Sequence, residues 1–245
     1  MAATATQRYF AEFLGTFALL LMGDGAAMFS LPAVTDPEAR VVLVSIAFGV
    51  TVLGGAYAFG QISGGHFNPA VTVSMAMSRR MPVRDVVPYI VAQLVGGILG
   101  VLVILGIAYG SSNAWANVQA TGIGSQGYNA FNAPYMFTAG SVFLLELTLT
   151  FLFVLVIQYV TRPENAAKNL APVAIGLTLM VTNLVGIGVD GASINPARSF
   201  APALLSAGWS SSTWAIKEVW LFWLAPLLGG ALASVVESQL RVEAN

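Results

Sequence analysis

Sixty consecutive residues, Val86 to Leu145, contain no Lys, Arg, Asp or Glu, and another 38 such residues lie between Arg40 and Arg79. A helix needs roughly 20 apolar residues to cross the hydrocarbon core of a bilayer, so these runs have room for several crossings. The 245-residue chain is 57% hydrophobic and only 9% charged, whereas a soluble domain carries about 25% charged residues. Such a sequence lacks the polar groups to clothe a water-facing surface. It excludes a soluble enzyme, a nucleic-acid binder and a disordered chain, and leaves a polytopic membrane protein embedded in the lipid bilayer.

Apolar runs bounded by charges or turn residues give six candidate spans, about 9–29, 41–61, 85–109, 137–160, 171–189 and 217–238. The first is read as a retained helix, because no convincing small-residue cleavage site follows it and further spans do. An even number of spans puts both termini on one side. Seven basic residues (Arg8, Arg79, Arg80, Arg84, Arg162, Lys168 and Arg241) then fall on that side, against Arg40 and Lys217 on the other. The bias predicts cytoplasmic termini in a cell (plasma or inner) membrane. The charge-free stretch rich in Gly, Ser and Asn at about 110–136 fits the outside. Trp115, Tyr128, Tyr135, Trp209 and Trp214 read as interfacial anchors.

The spans repeat. Glu12-x-x-x-Thr16-Phe17 returns as Glu146-x-x-x-Thr150-Phe151 at an offset of 134, and Ala47-x-Gly49-x-Thr51 returns as Ala174-x-Gly176-x-Thr178 at 127. Asn68-Pro69-Ala70 returns as Asn195-Pro196-Ala197, again at 127, and Ala92-x-Leu94-x-Gly96-Gly97 as Ala225-x-Leu227-x-Gly229-Gly230 at 133. The order is the same in both halves, and each half has three spans, so the second copy enters the membrane from the opposite face. This predicts a single membrane domain over 1–245, with repeat 1 at about 7–110, repeat 2 at about 137–239 and a linker at 111–136. In inverted-repeat folds the site lies near the midplane, where short interrupted hydrophobic segments occur in matching positions. Two such pieces, about 69–78 and 196–206, are half a crossing long, and both are introduced by Asn-Pro-Ala.

Asn is a favoured N-cap and Pro is favoured at the first helical position, where its missing N–H leaves nothing unpaired. Each tripeptide is therefore a helix start, preceded by a turn of Gly64-Gly65-His66-Phe67 in one copy and by Gly188, Asp190 and Gly191 in the other. If both half-helices start near the midplane, two positive helix ends of roughly half a charge each face one point. The amide donors of Asn68 and Asn195 face it too. A water there turns its oxygen to both amides and its hydrogens outward, so it cannot relay a proton.

Gly64-Gly65-His66-Phe67-Asn68-Pro69-Ala70-Val71-Thr72 and Ser193-Ile194-Asn195-Pro196-Ala197-Arg198-Ser199-Phe200 resemble the two signatures of the aquaporin (major intrinsic protein) family, and the resemblance runs over essentially the whole chain. It is closest to the prokaryotic water channels. The resemblance implies an all-α membrane fold of six transmembrane helices plus two re-entrant half-helices. It also implies a passive water channel that is not an enzyme, a homotetramer with one pore per subunit, and no cofactor or metal.

By the same resemblance, a narrow outer constriction, the selectivity filter, is formed by Phe48, Asn183, Ala192 and Arg198. Asn183 stands where water-selective members typically carry His, and together with the small Ala192 it suggests a wider opening. Ser199, Ala203 and the pair Phe222-Trp223 follow the water-type pattern instead. The second reading is a wider, aquaglyceroporin-like channel that also passes small neutral solutes such as glycerol, urea, ammonia or hydrogen peroxide.

Other residues admit two roles. Glu12 and Glu146 are either a proton-coupled pair in a secondary transporter or carboxylates that accept hydrogen bonds from partnerless loop backbone, one per re-entrant loop. Their equivalent positions favour loop support. His66 reads as loop packing beside the pore. Gly96-x-x-x-Gly100 and Gly229-x-x-x-Ala233 permit close helix approach. The sequence assigns no role to Asp24 or Asp190.

Overall fold

The computed structural model describes residues 3–29, 36–128, 136–208 and 213–240. Along the chain come α1 (Ala5–Phe29), α2 (Pro37–Ser63), the nine-residue α3 (Pro69–Met77), α4 (Val86–Tyr109) and α5 (Ser112–Thr121). They are followed by α6 (Ala139–Val160), α7 (Ala171–Asp190), α8 (Pro196–Ser206), α9 (Thr213–Glu218) and α10 (Leu221–Gln239). Single 3-10 turns, Val83–Asp85 and Lys168–Leu170, lead into α4 and α7. Six of the helices (α1, α2, α4, α6, α7 and α10) are long and apolar enough to cross a membrane. Their outward faces carry large apolar side chains such as Val87, Ile107, Leu144 and Val181, all exposed. In water that would be costly, and in lipid it is the stable arrangement. The protein is a multi-pass, all-α membrane protein with two half-length helices, α3 and α8, between its spans.

Local chemistry sets the ends. Asp36 caps α2 by accepting Glu38 N at 2.9 Å, with Pro37 at the first position. Two of the spanning helices stop on a left-handed glycine: α2 at Gly64 (φ 96°) and α7 at Gly191 (φ 92°). Those glycines turn the chain back into the membrane toward α3 and α8.

Packing repeats across the two halves. A Cβ built on Gly96 of α4 would lie 2.3 Å from the Phe13 carbonyl of α1, and one on Gly229 of α10 would lie 2.5 Å from the Leu147 carbonyl of α6. Backbone meets backbone at both crossings. Between α2 and α7 the contact is reciprocal: the Cβ site of Gly49 is 2.6 Å from Gly176 O, and that of Gly176 is 2.6 Å from Gly49 O. The half-helices are held crosswise. Gly97 of α4 backs onto Ala197 of α8, and Gly230 of α10 backs onto Ala70 of α3.

Two segments differ from the sequence expectation. The 110–136 stretch is not all loop, because Ser111 caps α5 by accepting Ala114 N. Its polar side chains give this helix no apolar run to mark it in the sequence. The sixth apolar run is also divided, with a turn at Val219–Trp220 separating α9 from α10. Glu218, which ends α9, accepts Tyr128 N at 2.7 Å, and burial raises its carboxyl pKa against the lowering effect of that hydrogen bond. Tyr135, Trp209 and Arg241 lie outside the described residues.

Basic residues gather at one end of the bundle. Arg8 pairs with Asp85 at 2.9 Å and Arg162 with Glu237 at 2.6 Å. Arg80 donates to the carbonyls of Gln158 and Thr161, at 2.9 and 2.7 Å. These carbonyls close α6, where a cation satisfies groups that have no helical partner.

Candidate functional site

The starts of α3 and α8 meet inside the bundle. Asn68 caps α3, its Oδ1 accepting Ala70 N at 2.8 Å, and Asn195 caps α8, its Oδ1 accepting Ala197 N at 3.0 Å and Arg198 N at 3.4 Å. Pro69 and Pro196 take the first helical positions. The two caps are cross-linked. Asn68 Nδ2 donates to Ile194 O, and Asn195 Nδ2 donates to Phe67 O, both at 2.8 Å. Each amide thus spends one N–H on the opposite loop and keeps the other.

To aim those carbonyls across, the residues before each cap adopt left-handed backbone: Phe67 at φ 50° and Ile194 at φ 56°. Such a conformation costs a non-glycine residue roughly 1–3 kcal/mol and persists only where surroundings over-determine it. A carboxylate does so in each loop. Glu12 of α1 accepts His66 N (2.9 Å) and Phe67 N (2.7 Å), together with Ser63 Oγ and Gln93 Nε2. Glu146 of α6 accepts Ser193 N and Ile194 N, both at 2.7 Å. Both carboxylates are fully buried. His66 places Nδ1 3.1 Å from Thr72 Oγ1 and its ring against Tyr89.

A narrow cavity runs past the two caps. Phe48, His66, Asn68, Asn183, Ala192, Asn195 and Arg198 all line it. Its volume is about 40 Å³, room for about three waters at 10–15 Å³ each. Toward the basic end it opens into a vestibule of about 920 Å³, bordered by Arg8, Arg80, Arg84 and Lys168.

Phe48, Asn183, Ala192 and Arg198 come together on this cavity. The Arg198 guanidinium lies 5.3 Å from the Phe48 ring centroid. Its Nη1 donates to Gly124 O at 2.9 Å and its Nη2 to Gly191 O at 3.4 Å. Asn183 Nδ2 donates to Leu179 O at 2.9 Å, leaving Oδ1 as the side chain's remaining polar atom. Ala192 is left-handed (φ 51°), as is Gly65, the corresponding residue of the first loop (φ 64°). Sequence reasoning missed Gly124, which presents its carbonyl from a left-handed turn after α5 (φ 71°). A glycine in a charge-free loop gives no sign of the arginine it serves.

Comparison with known proteins agrees with this architecture. The family model described as "Major intrinsic protein" matches residues 1–237. A relative named Aquaporin Z from Rhodopseudomonas palustris is 42% identical over 240 residues, covering 97% of this chain and 95% of its own. Another, Aquaporin Z from Bradyrhizobium diazoefficiens, is 40% identical over 239 residues, covering 97% and 94%. Among solved structures, the X-ray structure of the aquaglyceroporin from Plasmodium falciparum shares the fold with a TM-score of 0.82, at 21% identity and 97% coverage of both chains. With the family model spanning nearly the whole chain and relatives at this identity, the chain belongs to the major intrinsic protein family.

Proposed function

We propose that the protein is a passive channel for water across the cell (inner) membrane, with both termini cytoplasmic and four copies assembled, each with its own pore. The observation that carries this reading is the pair of capped helix starts, each tied by its asparagine to the other's loop, beside a cavity only a few waters in size. Each helix start presents roughly half a positive charge, which opposes cations in a low-dielectric passage. The free N–H of each asparagine hydrogen-bonds the oxygen of a passing water, whose hydrogens then point outward along the file and break the relay of protons. Arg198, Phe48, Asn183 and Ala192 form the narrow filter. Glu12 and Glu146 serve as acceptors for loop backbone and not as a transport couple, because their oxygens are occupied by N–H and O–H donors. The relatives named Aquaporin Z point the same way.

Stopped-flow light scattering on proteoliposomes tests this directly. Water permeability well above that of empty liposomes is expected, symmetric in direction, with no acidification of the lumen under a proton gradient. Solute accumulation against a gradient would instead identify a coupled transporter.

A second reading, passage of small neutral solutes as well, rests on the small Ala192 and Asn183 side chains at the filter. On this reading glycerol and urea enter wild-type liposomes faster than empty ones. Asn183→His then lowers their entry by about tenfold, equivalent to ~1.4 kcal/mol at the constriction, and leaves water flow near the wild-type level. Wild-type liposomes that admit neither solute would exclude the wider pore.

A further inference from the structure

Asp24 of α1 has no place in the account so far. It is fully buried, and its Oδ1 stands 3.1 Å from Arg198 Nη2. Among the described residues neither of its oxygens accepts a hydrogen bond, so the guanidinium is what compensates its charge. Asp24 is not on the cavity wall; Arg198 is. The carboxylate therefore meets the arginine from outside the cavity lining.

Two adjacent positions of α1 serve the same constriction. A Cβ on Gly23 would fall 2.2 Å from the Phe48 ring, so that ring rests on bare backbone. The next residue holds Arg198. Gly124, whose carbonyl takes Arg198 Nη1, is also close, with a Cβ site 3.6 Å from Asp24 Oδ1. Glu146 accepts the loop N–H groups of Ser193 and Ile194, and Asp190 Oδ1 accepts Ala192 N, while Asp190 Oδ2 accepts none among the described residues. Among the described residues Asp24 alone forms an ion pair with Arg198.

The charge arithmetic gives this pair a consequence. Carbonyls orient a guanidinium but leave its unit charge intact, and beside a narrow low-dielectric lumen that charge repels cations and attracts anions. A carboxylate at contact distance converts the unit charge into a dipole with its positive end toward the lumen. The N–H donors stay available at short range while the long-range pull on anions disappears. Removing one member of a buried pair leaves the other uncompensated.

Building on the filter reading above, we propose that Asp24 is a positioning and specificity-determining residue of the constriction: it holds the Arg198 guanidinium against the wall and cancels its net charge. The lumen then admits neutral molecules and refuses ions of both signs.

The test uses full-length protein in liposomes, comparing wild type, Asp24→Asn, Arg198→Ala and the double variant, each normalised to folded copies. Water permeability is read by light scattering and anion entry with a nitrate gradient. Asp24→Asn is expected to admit nitrate that the wild type excludes. It should also slow water by about three- to tenfold, a size usual for coupled neighbours, because the released guanidinium leans into the lumen. In the Arg198→Ala background the same change should do neither. Wild-type water and nitrate behaviour in Asp24→Asn overturns the proposal. So does an equal loss of water flow in both backgrounds with no nitrate entry, which marks a packing role. If Arg198→Ala matches wild type in every permeability, the filter reading itself fails, whatever Asp24 does. Should Asp24→Asn not fold, Asp24→Ser takes its place in the same four-way comparison.

Discussion

Replacing Glu146 by alanine is expected to destabilise the folded protein by about 2–6 kcal/mol, because two buried backbone N–H groups lose their acceptor at roughly 1–3 kcal/mol each. The groups are Ser193 N and Ile194 N, both 2.7 Å from the carboxylate. Among the described residues no other acceptor is bonded to either N–H. Relief from burying the carboxylate offsets part of the loss, so the lower half of the range applies if water reaches the loop from the cavity. Total stabilities of about 5–15 kcal/mol make even that a severe change. Glu146→Gln is a graded control, since it keeps one acceptor but turns an NH₂ toward an N–H, and should lie between alanine and wild type. Thermal unfolding in detergent checks the order. A Glu146→Ala protein that melts with the wild type would show that the loop backbone does not depend on this side chain.

Gly96→Leu should prevent recovery of folded protein altogether. The Cβ site is 2.3 Å from Phe13 O and 3.1 Å from Phe17 N, all backbone of α1, so no side-chain rotation relieves the clash. The helices must separate, and α1 carries Glu12 while α4 carries Gln93, both bound to the first re-entrant loop and its neighbours. Overpacking of ordinary cores costs about 1–3 kcal/mol, and a backbone collision exceeds that. Gly106 on the same helix provides the contrast. Nothing lies within 4 Å of its Cβ site, and Gly106→Ala should be neutral or stabilising by up to about 1 kcal/mol, as expected for a helix interior. Size-exclusion profiles after membrane extraction decide the matter: a monodisperse Gly96→Leu protein with wild-type melting would remove the close crossing as a determinant of the fold.

Much of this architecture is legible in the sequence, for reasons that can be named. The six spans follow from apolar length, and the half-helices follow from Asn-Pro at their starts, because capping is local chemistry. The repeat shows itself through offsets of 127 to 134 residues between matching motifs. What stays hidden depends on pairs brought together only by folding. Asn68 and Ile194 are 126 residues apart, and Asn195 and Phe67 are 128 apart; nothing in either loop announces that its asparagine holds the other's carbonyl. Left-handed backbone at Phe67 and Ile194 runs against residue preference, so no propensity argument finds it. Asp24 is similar: a single acid in an apolar helix has no local partner, and its meaning comes from an arginine 174 positions later. Polar α5 has no apolar run of the kind that marks a span.

The crosswise support of the two short helices makes the two halves of the bundle interdependent. The backing for the second short helix comes from a glycine in the first half, and the backing for the first comes from a glycine in the second. The asparagine ties are exchanged in the same manner. Neither half on its own completes the arrangement, so a half made alone would leave its short helix without a floor and its asparagine without a carbonyl to hold.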